Sequence, residues 1–138
     1  MAKFLIVDDD AACRRLLGHY LAPLGQCDLA HNGHEAIGAF HMAIENHAPY
    51  DLVCLDLMMP TVDGHRVLHA IRDLEYRRGI SGSDGVKVIV TTGQADAKQC
   101  LRAFREGCES YLAKRFDRES LLAQVEWLLG DVPRRSAI

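Results

Sequence analysis

Phe4-Leu5-Ile6-Val7-Asp8-Asp9-Asp10 is the stretch that decides the fold. Its apolar run is too short for a helix and shows no polar alternation, which is the pattern of a strand buried on both faces. It then breaks into consecutive carboxylates. Runs of the same kind recur at Leu52–Leu55, Val86–Val90 and Ser110–Ala113, and the weaker Cys27-Asp28-Leu29-Ala30 reads as a strand near an edge. Between the runs the period changes to that of a helix. Cys13, Leu16, Leu17, Tyr20, Leu21 and Leu24 form one apolar stripe, closed by Pro23 and Gly25. Ala36, Ile37, Phe40, Ala43 and Ile44 form a second, and Val67, Leu68, Ile71 and Leu74 a third. Cys100, Leu101 and Phe104 form a fourth, stopped by Gly107, and Leu121, Leu122, Val125, Leu128 and Leu129 a fifth. Asp10 and Asp117 are placed to cap the first and last of these helices. Strand and helix alternating with short links predict a doubly wound α/β fold, a parallel sheet with helices on both faces.

The chain has 138 residues, 49% hydrophobic and 25% charged, enough for one domain with a sizeable core. A net charge of −3 leaves no global basic footprint, so direct DNA binding is not expected. No segment approaches the roughly 18 apolar residues of a membrane span, and the N-terminal run is too short for a signal peptide, so the expected location is cytoplasmic. The 5 cysteines include no CxxC, and four of them read as reduced core residues. Gly79–Gly85 reads as a flexible surface loop with no phosphate-binding glycine signature.

The acidic residues stand where strands end, Asp8-Asp9-Asp10 after the first and Asp56 after the third. Ligands of open parallel sheets bind beyond the carboxyl ends of the strands. With the first and third strands as neighbours, Asp8, Asp9 and Asp56 converge there. Crowded carboxylates repel one another unless a cation joins them, and an oxygen-only set suits Mg²⁺ (or Mn²⁺). Thr91-Thr92 and Lys114 close the later strands with hydroxyls and an ammonium. Carboxylates, a metal, a hydroxyl and an ammonium around one crevice are what phosphoryl transfer to an aspartate requires.

These residues, with Ala30–Ala36, Tyr50–Pro60, Asp63-Gly64, Val88–Gly93 and Gly107–Lys114, resemble in order a response regulator receiver domain of two-component signalling, over about residues 3–129. The resemblance implies a flavodoxin-like five-stranded sheet in the order 2-1-3-4-5. It implies that Asp56 is the phosphoacceptor, that Asp9, Asp56 and the backbone carbonyl of Met58 bind the metal directly, and that Asp8 acts through water. Thr92, chosen over Thr91 because the small Gly93 follows it, and Lys114 would contact the phosphoryl group, with Tyr111 the aromatic partner of the threonine switch. Met58 and Gln94 would tune phosphoryl lifetime. Apolar Met58 predicts a moderate to long one. The phosphodonor would be a sensor histidine kinase or a histidine phosphotransfer protein. The signal would leave through the face of the fourth helix, fifth strand and fifth helix to an unknown protein target, with Lys98, Gln99, Arg102 and Arg105 as candidate contacts. Residues 1–130 would form the receiver and 131–138 a short tail, with no output domain and a monomeric or weakly phosphorylation-dependent dimeric state.

The sequence departs from the family pattern after the lysine, where Arg115 stands in place of the usual cis-proline. A cis bond before a non-proline residue costs about 2.5–4 kcal/mol, so this bond is expected to be trans with a shifted loop, or cis under strain. The 7 histidines read as surface residues, since neither His65/His69 nor His31/His34 has a third metal ligand at a recognisable spacing. Cys54 reads as core. Two other functions compete. An aspartyl-nucleophile phosphatase of the haloacid-dehalogenase type is disfavoured because it needs an acid where Met58 stands. A pseudo-receiver, an interaction module without phosphorylation, is disfavoured by the intact acidic set.

Overall fold

The computed structural model describes residues 1–93 and 97–130. Five strands, β1 (Ala2–Val7), β2 (Gly25–Ala30), β3 (Leu52–Asp56), β4 (Lys87–Thr92) and β5 (Ser110–Ala113), alternate with five helices, α1 (Ala11–Leu21), α2 (Gly33–Glu45), α3 (Gly64–Arg77), α4 (Ala97–Glu106) and α5 (Arg118–Leu129). The strands pair in parallel in the order β2-β1-β3-β4-β5. The Gly79–Gly85 segment contains a short 3₁₀ turn at Gly82–Asp84.

Period-two alternation sorts the strand residues into two cores. Phe4, Ile6, Leu52, Cys54 and Ile89 face α1 and α5, where they meet Leu17, Leu21, Leu121 and Val125. Leu5, Val7, Val53, Leu55, Val88 and Val90 face the other layer and meet Phe40, Val67, Leu68 and Ile71 of α2 and α3, with Ala103 of α4. β1 and β3 are therefore central strands, sealed on both faces. The chain after β1 goes to one layer and the chain after β3 to the other, so a crevice opens between their carboxyl ends.

Local caps agree with the sequence. The Asp10 carboxylate accepts from Ala12 N at 2.9 Å, and Asp117 accepts from Ser120 N at 2.7 Å. α4 ends before Gly107, whose φ of 112° a side chain would rarely adopt. The amino end of β4 is held by a polar clamp in addition to the apolar packing of Val86 and Val88. Arg72 of α3 reaches Glu75 at 2.7 Å and Glu109 at 2.9 Å, and donates to the Gly107 carbonyl. Glu75 and Glu109 in turn accept from the backbone N–H of Val86 and Val88, each at 2.6 Å.

Several expectations are corrected. Leu16 is exposed, because α1 turns a narrower stripe to the sheet than its spacing suggests. The stripe assigned to α4 is wrong. Only Ala103 is buried there, while Leu101 and Phe104 are 57% and 45% exposed. Of the cysteines only Cys54 and Cys108 are buried, Cys13, Cys27 and Cys100 being intermediate. The segment 131–138, expected to be a tail, lies outside the described residues.

Candidate phosphoacceptor and metal site

Asp56 is the last residue of β3 and Asp8 the first beyond β1, so the parallel register of these neighbours carries both to the same end of the sheet. Both are buried, and Asp9 is exposed at the rim. One carboxylate oxygen from each lies within 4.8 Å of the others, so the three converge as the sequence predicts. The Asp56 Oδ1 accepts from Met58 N at 3.1 Å, which folds the chain after β3 back over the carboxylate. Gly64 completes this turn, its N–H donating to the Leu57 carbonyl at 3.0 Å. A side chain at Gly64 would collide with the backbone of Asp56 and Leu57.

Lys114, just beyond β5, crosses to the acidic pair. Its Nζ is 3.0 Å from Asp8 Oδ2 and 3.2 Å from Asp56 Oδ2. Asp8 Oδ1 accepts from Asp10 N at 2.9 Å, while Oδ2 meets the ammonium as an ion pair without a well-aligned hydrogen bond. Burial raises the Asp56 pKa to about 6, with Asp8 adding repulsion and the Met58 N–H and Lys114 pulling the other way. Burial alone would lower the Lys114 pKa, but the two carboxylates outweigh it and hold the ammonium charged. The Cys13 thiol faces Asp8 and is pushed up to about 12 by burial and by that carboxylate, which makes it an inert neighbour rather than a nucleophile.

Three carboxylates against one ammonium leave the crevice short of positive charge. The donor set is all oxygen and one oxygen of a buried carboxylate is incompletely bonded, so the site fits a hard divalent cation.

The bond between Lys114 and Arg115 is trans, as are all peptide bonds among the described residues, and Arg115 takes a left-handed φ of 71°. The trans peptide of the first expected outcome is therefore observed, and the Lys114 ammonium reaches both carboxylates. Thr91 and Thr92 are both buried at the end of β4. Thr91 lies in direct register with Asp56, and its hydroxyl has no hydrogen-bond partner. Thr92 accepts from Lys114 N at 2.7 Å through its carbonyl. Tyr111 is half-buried on β5, and the Cys100 thiol of α4 beside its hydroxyl raises its pKa. Met58 is 59% exposed beside the crevice. Gln94 lies outside the described residues.

His65 corrects the reading of the histidines as surface groups. It is 4% exposed, its Nδ1 bonded to Glu106 and its Nε2 2.7 Å from Gln99 Oε1. Gln99 is thus half-buried and engaged rather than offered to a partner, whereas Lys98, Arg102 and Arg105 are exposed. The only sequence signal for this cluster is the i, i+4 histidine pair, and its acidic partner Glu106 lies 41 residues from His65.

Comparison with known proteins gives a consistent result. The family model described as the response regulator receiver domain matches residues 4–126. The chain is 35% identical over 128 residues to the transcriptional regulatory protein ResD of Bacillus subtilis, covering 92% of this chain and 48% of that one. It is 32% identical over 130 residues to the transcriptional regulatory protein PcoR of Escherichia coli, covering 94% and 52%. The chain therefore spans about half the length of these relatives. The BeF3-activated receiver domain of DrrB, a Thermotoga maritima response regulator, superposes with a TM-score of 0.74 at 25% identity, covering 95% of this chain and 99% of that one.

Proposed function

We propose a function on one premise: the chain belongs to the response regulator receiver domain family. It is a phosphoaccepting signalling domain built around an aspartate cluster able to hold a divalent metal, not a turnover enzyme. Asp56 is the phosphoacceptor in our reading. A carboxylate oxygen of Asp56 forms a bond to the phosphorus of a phosphohistidine on a sensor kinase or phosphotransfer protein. The P–N bond breaks, and the imidazole leaves with its electron pair and takes up a proton. Asp56 suits this role because its pKa of about 6 keeps it mostly ionised at neutral pH while making it more basic than an exposed aspartate.

Asp8, Asp9, Asp56 and the Met58 carbonyl would hold Mg²⁺ or Mn²⁺, which when bound neutralises charge on the phosphoryl oxygens. Lys114, already 3.2 Å from Asp56, would turn from carboxylate to phosphoryl oxygen. The Thr92 hydroxyl would donate to the same group, and Met58 would limit the approach of water. The signal would then leave through α4, β5 and α5, where exposed Lys98, Arg102 and Arg105 surround Leu101 and Phe104. Gln94, at the β4–α4 link, is assigned a tuning role from its sequence position alone.

The observation that carries this reading is the convergence of Asp8, Asp9 and Asp56 with Lys114 at the switch point of the sheet. Its test is incubation with acetyl phosphate, with and without Mg²⁺. A Mg²⁺-dependent phosphoprotein in the wild type, absent in Asp56→Asn, is expected. No adduct in the wild type would favour an interaction module without phosphorylation, and rapid turnover of many phosphoesters would favour a phosphatase.

A further inference from the structure

α4 is the helix next to the site with the least apolar anchoring. Ala103 is its one buried residue, whereas α3 buries Val67, Leu68 and Ile71. Polar bonds take over that work. His65, in the first turn of α3, bonds Glu106 through Nδ1 and meets Gln99 at 2.7 Å through Nε2. Gln99, Ala103 and Glu106 recur at i, i+4 and i+7, so they share one face of α4. One buried ring therefore grips the helix near both ends, which lie about 10 Å apart along its axis. The other Glu106 oxygen is 2.6 Å from His69 Nε2, and Arg102 Nε is 3.5 Å from Glu106 Oε1. This is not a metal centre. The carboxylate sits between the two rings, one oxygen toward each, and the converged ligand set found among the described residues is Asp8, Asp9 and Asp56 alone.

The cluster is tied to the site at two points. His65 directly follows Gly64, whose N–H is bonded to the Leu57 carbonyl and whose Cα admits no side chain against Asp56. It is therefore fixed to the backbone of the phosphoacceptor loop. α4 follows β4 in the chain, β4 ending in Thr92 and α4 starting at Ala97, so Gln99 stands seven residues after Thr92. An open groove of about 490 Å³, lined by Met58, Asp63, His65, Gln99 and Arg102, separates that loop from α4 and leaves room for displacement.

We propose that His65 is a positioning residue that pins α4 against the start of α3 in the unphosphorylated protein, and that phosphoryl capture at Asp56 works against this pin. The proposal rests on the reading of Asp56 as phosphoacceptor. Coupling between two sites is reciprocal. A pin that favours the resting position of α4 must weaken binding of anything that favours the shifted one, and cutting the pin must strengthen it.

The test uses BeF3⁻ with Mg²⁺ as a phosphoryl analogue, titrated by calorimetry into the wild type, His65→Leu and Gln99→Leu. His65→Leu fills the buried space without the bonds. Gln99→Leu removes one bond from a half-buried position, so it serves if the first variant does not fold. Both variants are expected to bind BeF3⁻ roughly three- to tenfold more tightly, the worth of about one hydrogen bond. Amide exchange in α4 should quicken while that of α3 stays unchanged. A merely structural defect would weaken binding instead, so unchanged or weaker affinity in the variants overturns the pin. If the wild type itself fails to bind BeF3⁻, the reading of Asp56 falls and the pin with it. If the wild type binds and the variants match it, only the pin falls.

Discussion

Replacing Asp56 with asparagine should stabilise the metal-free protein. Asp56 is 1% exposed, and burial above all, with the Asp8 charge behind it, lifts its pKa from 3.8 to about 6. An unfolded chain ionises this carboxyl near 3.8 and the folded chain only near 6, so ionisation penalises the folded state. The penalty is absent below the unfolded value, grows between the two, and is complete above the folded one. At about 1.36 kcal/mol per pKa unit it amounts to about 3 kcal/mol at pH 8 and about 2 kcal/mol at pH 5. Asparagine loses the charge but keeps an oxygen that can accept from the Met58 N–H. Urea unfolding in chelator at both pH values reads the difference. With a slope of about 2 kcal/mol per molar, the asparagine variant should unfold about 1.5 M later at pH 8 and less than that at pH 5. Saturating divalent cation should narrow or reverse the order, since a ligand at a hundred times its Kd stabilises the native state by about 2.7 kcal/mol. An asparagine variant less stable than the wild type in chelator at pH 8, or a gap that fails to grow from pH 5 to pH 8, would refute the electrostatic account of the site.

Three further outcomes can be checked. Arg72→Met strands Glu75 and Glu109 beside the start of β4 and should cost about 3–5 kcal/mol in urea unfolding; a loss under 1 kcal/mol would show the clamp to be dispensable. Arg115→Gly relieves a left-handed backbone of φ 71° and should raise stability by up to about 1 kcal/mol, whereas Arg115→Pro cannot adopt that φ and should lower it, both read as shifts in Tm. Met58→Asn exchanges an apolar neighbour of Asp56 for one able to hold water. It should shorten the phosphoryl half-life several-fold, equivalent to about 1 kcal/mol of barrier, in a time course of radiolabelled protein. A longer half-life would contradict the assigned role of Met58.

The central strands were legible because burial on both faces leaves an unbroken apolar run, as in Phe4–Val7 and Leu52–Leu55, which little else in a chain of this size produces. The carboxylate cluster was legible for a topological reason, since residues ending neighbouring parallel strands must meet. The α4 stripe expected from the sequence differs from the structure because periodicity reports which residues are apolar, not which face the sheet needs. Leu101 and Phe104 point outward, and the inward face is the polar Gln99, small Ala103 and Glu106. The burial of His65 escapes the sequence for a related reason. Its burial is tolerated only because Glu106 and Gln99 bond both ring nitrogens, and partners 41 and 34 residues away leave no local pattern. The Lys114–Arg115 bond shows the opposite case. The energetic cost of a cis bond before arginine left a trans peptide or a strained cis one as the two outcomes, and the structure has the trans peptide, with Arg115 at a left-handed φ of 71°.

Whether Asp56 is the residue that takes the phosphoryl group is read by mapping the modification. The wild type would be treated with acetyl phosphate and Mg²⁺, reduced with borohydride, which converts an acyl phosphate to an alcohol, digested, and its peptides weighed. Homoserine is expected at position 56 with no other reduced aspartate, dependent on Mg²⁺ and absent without the phosphodonor. Reduction at Asp8 or Asp9 instead, or an unmodified Asp56 in a protein that has nonetheless acquired phosphate, would contradict it.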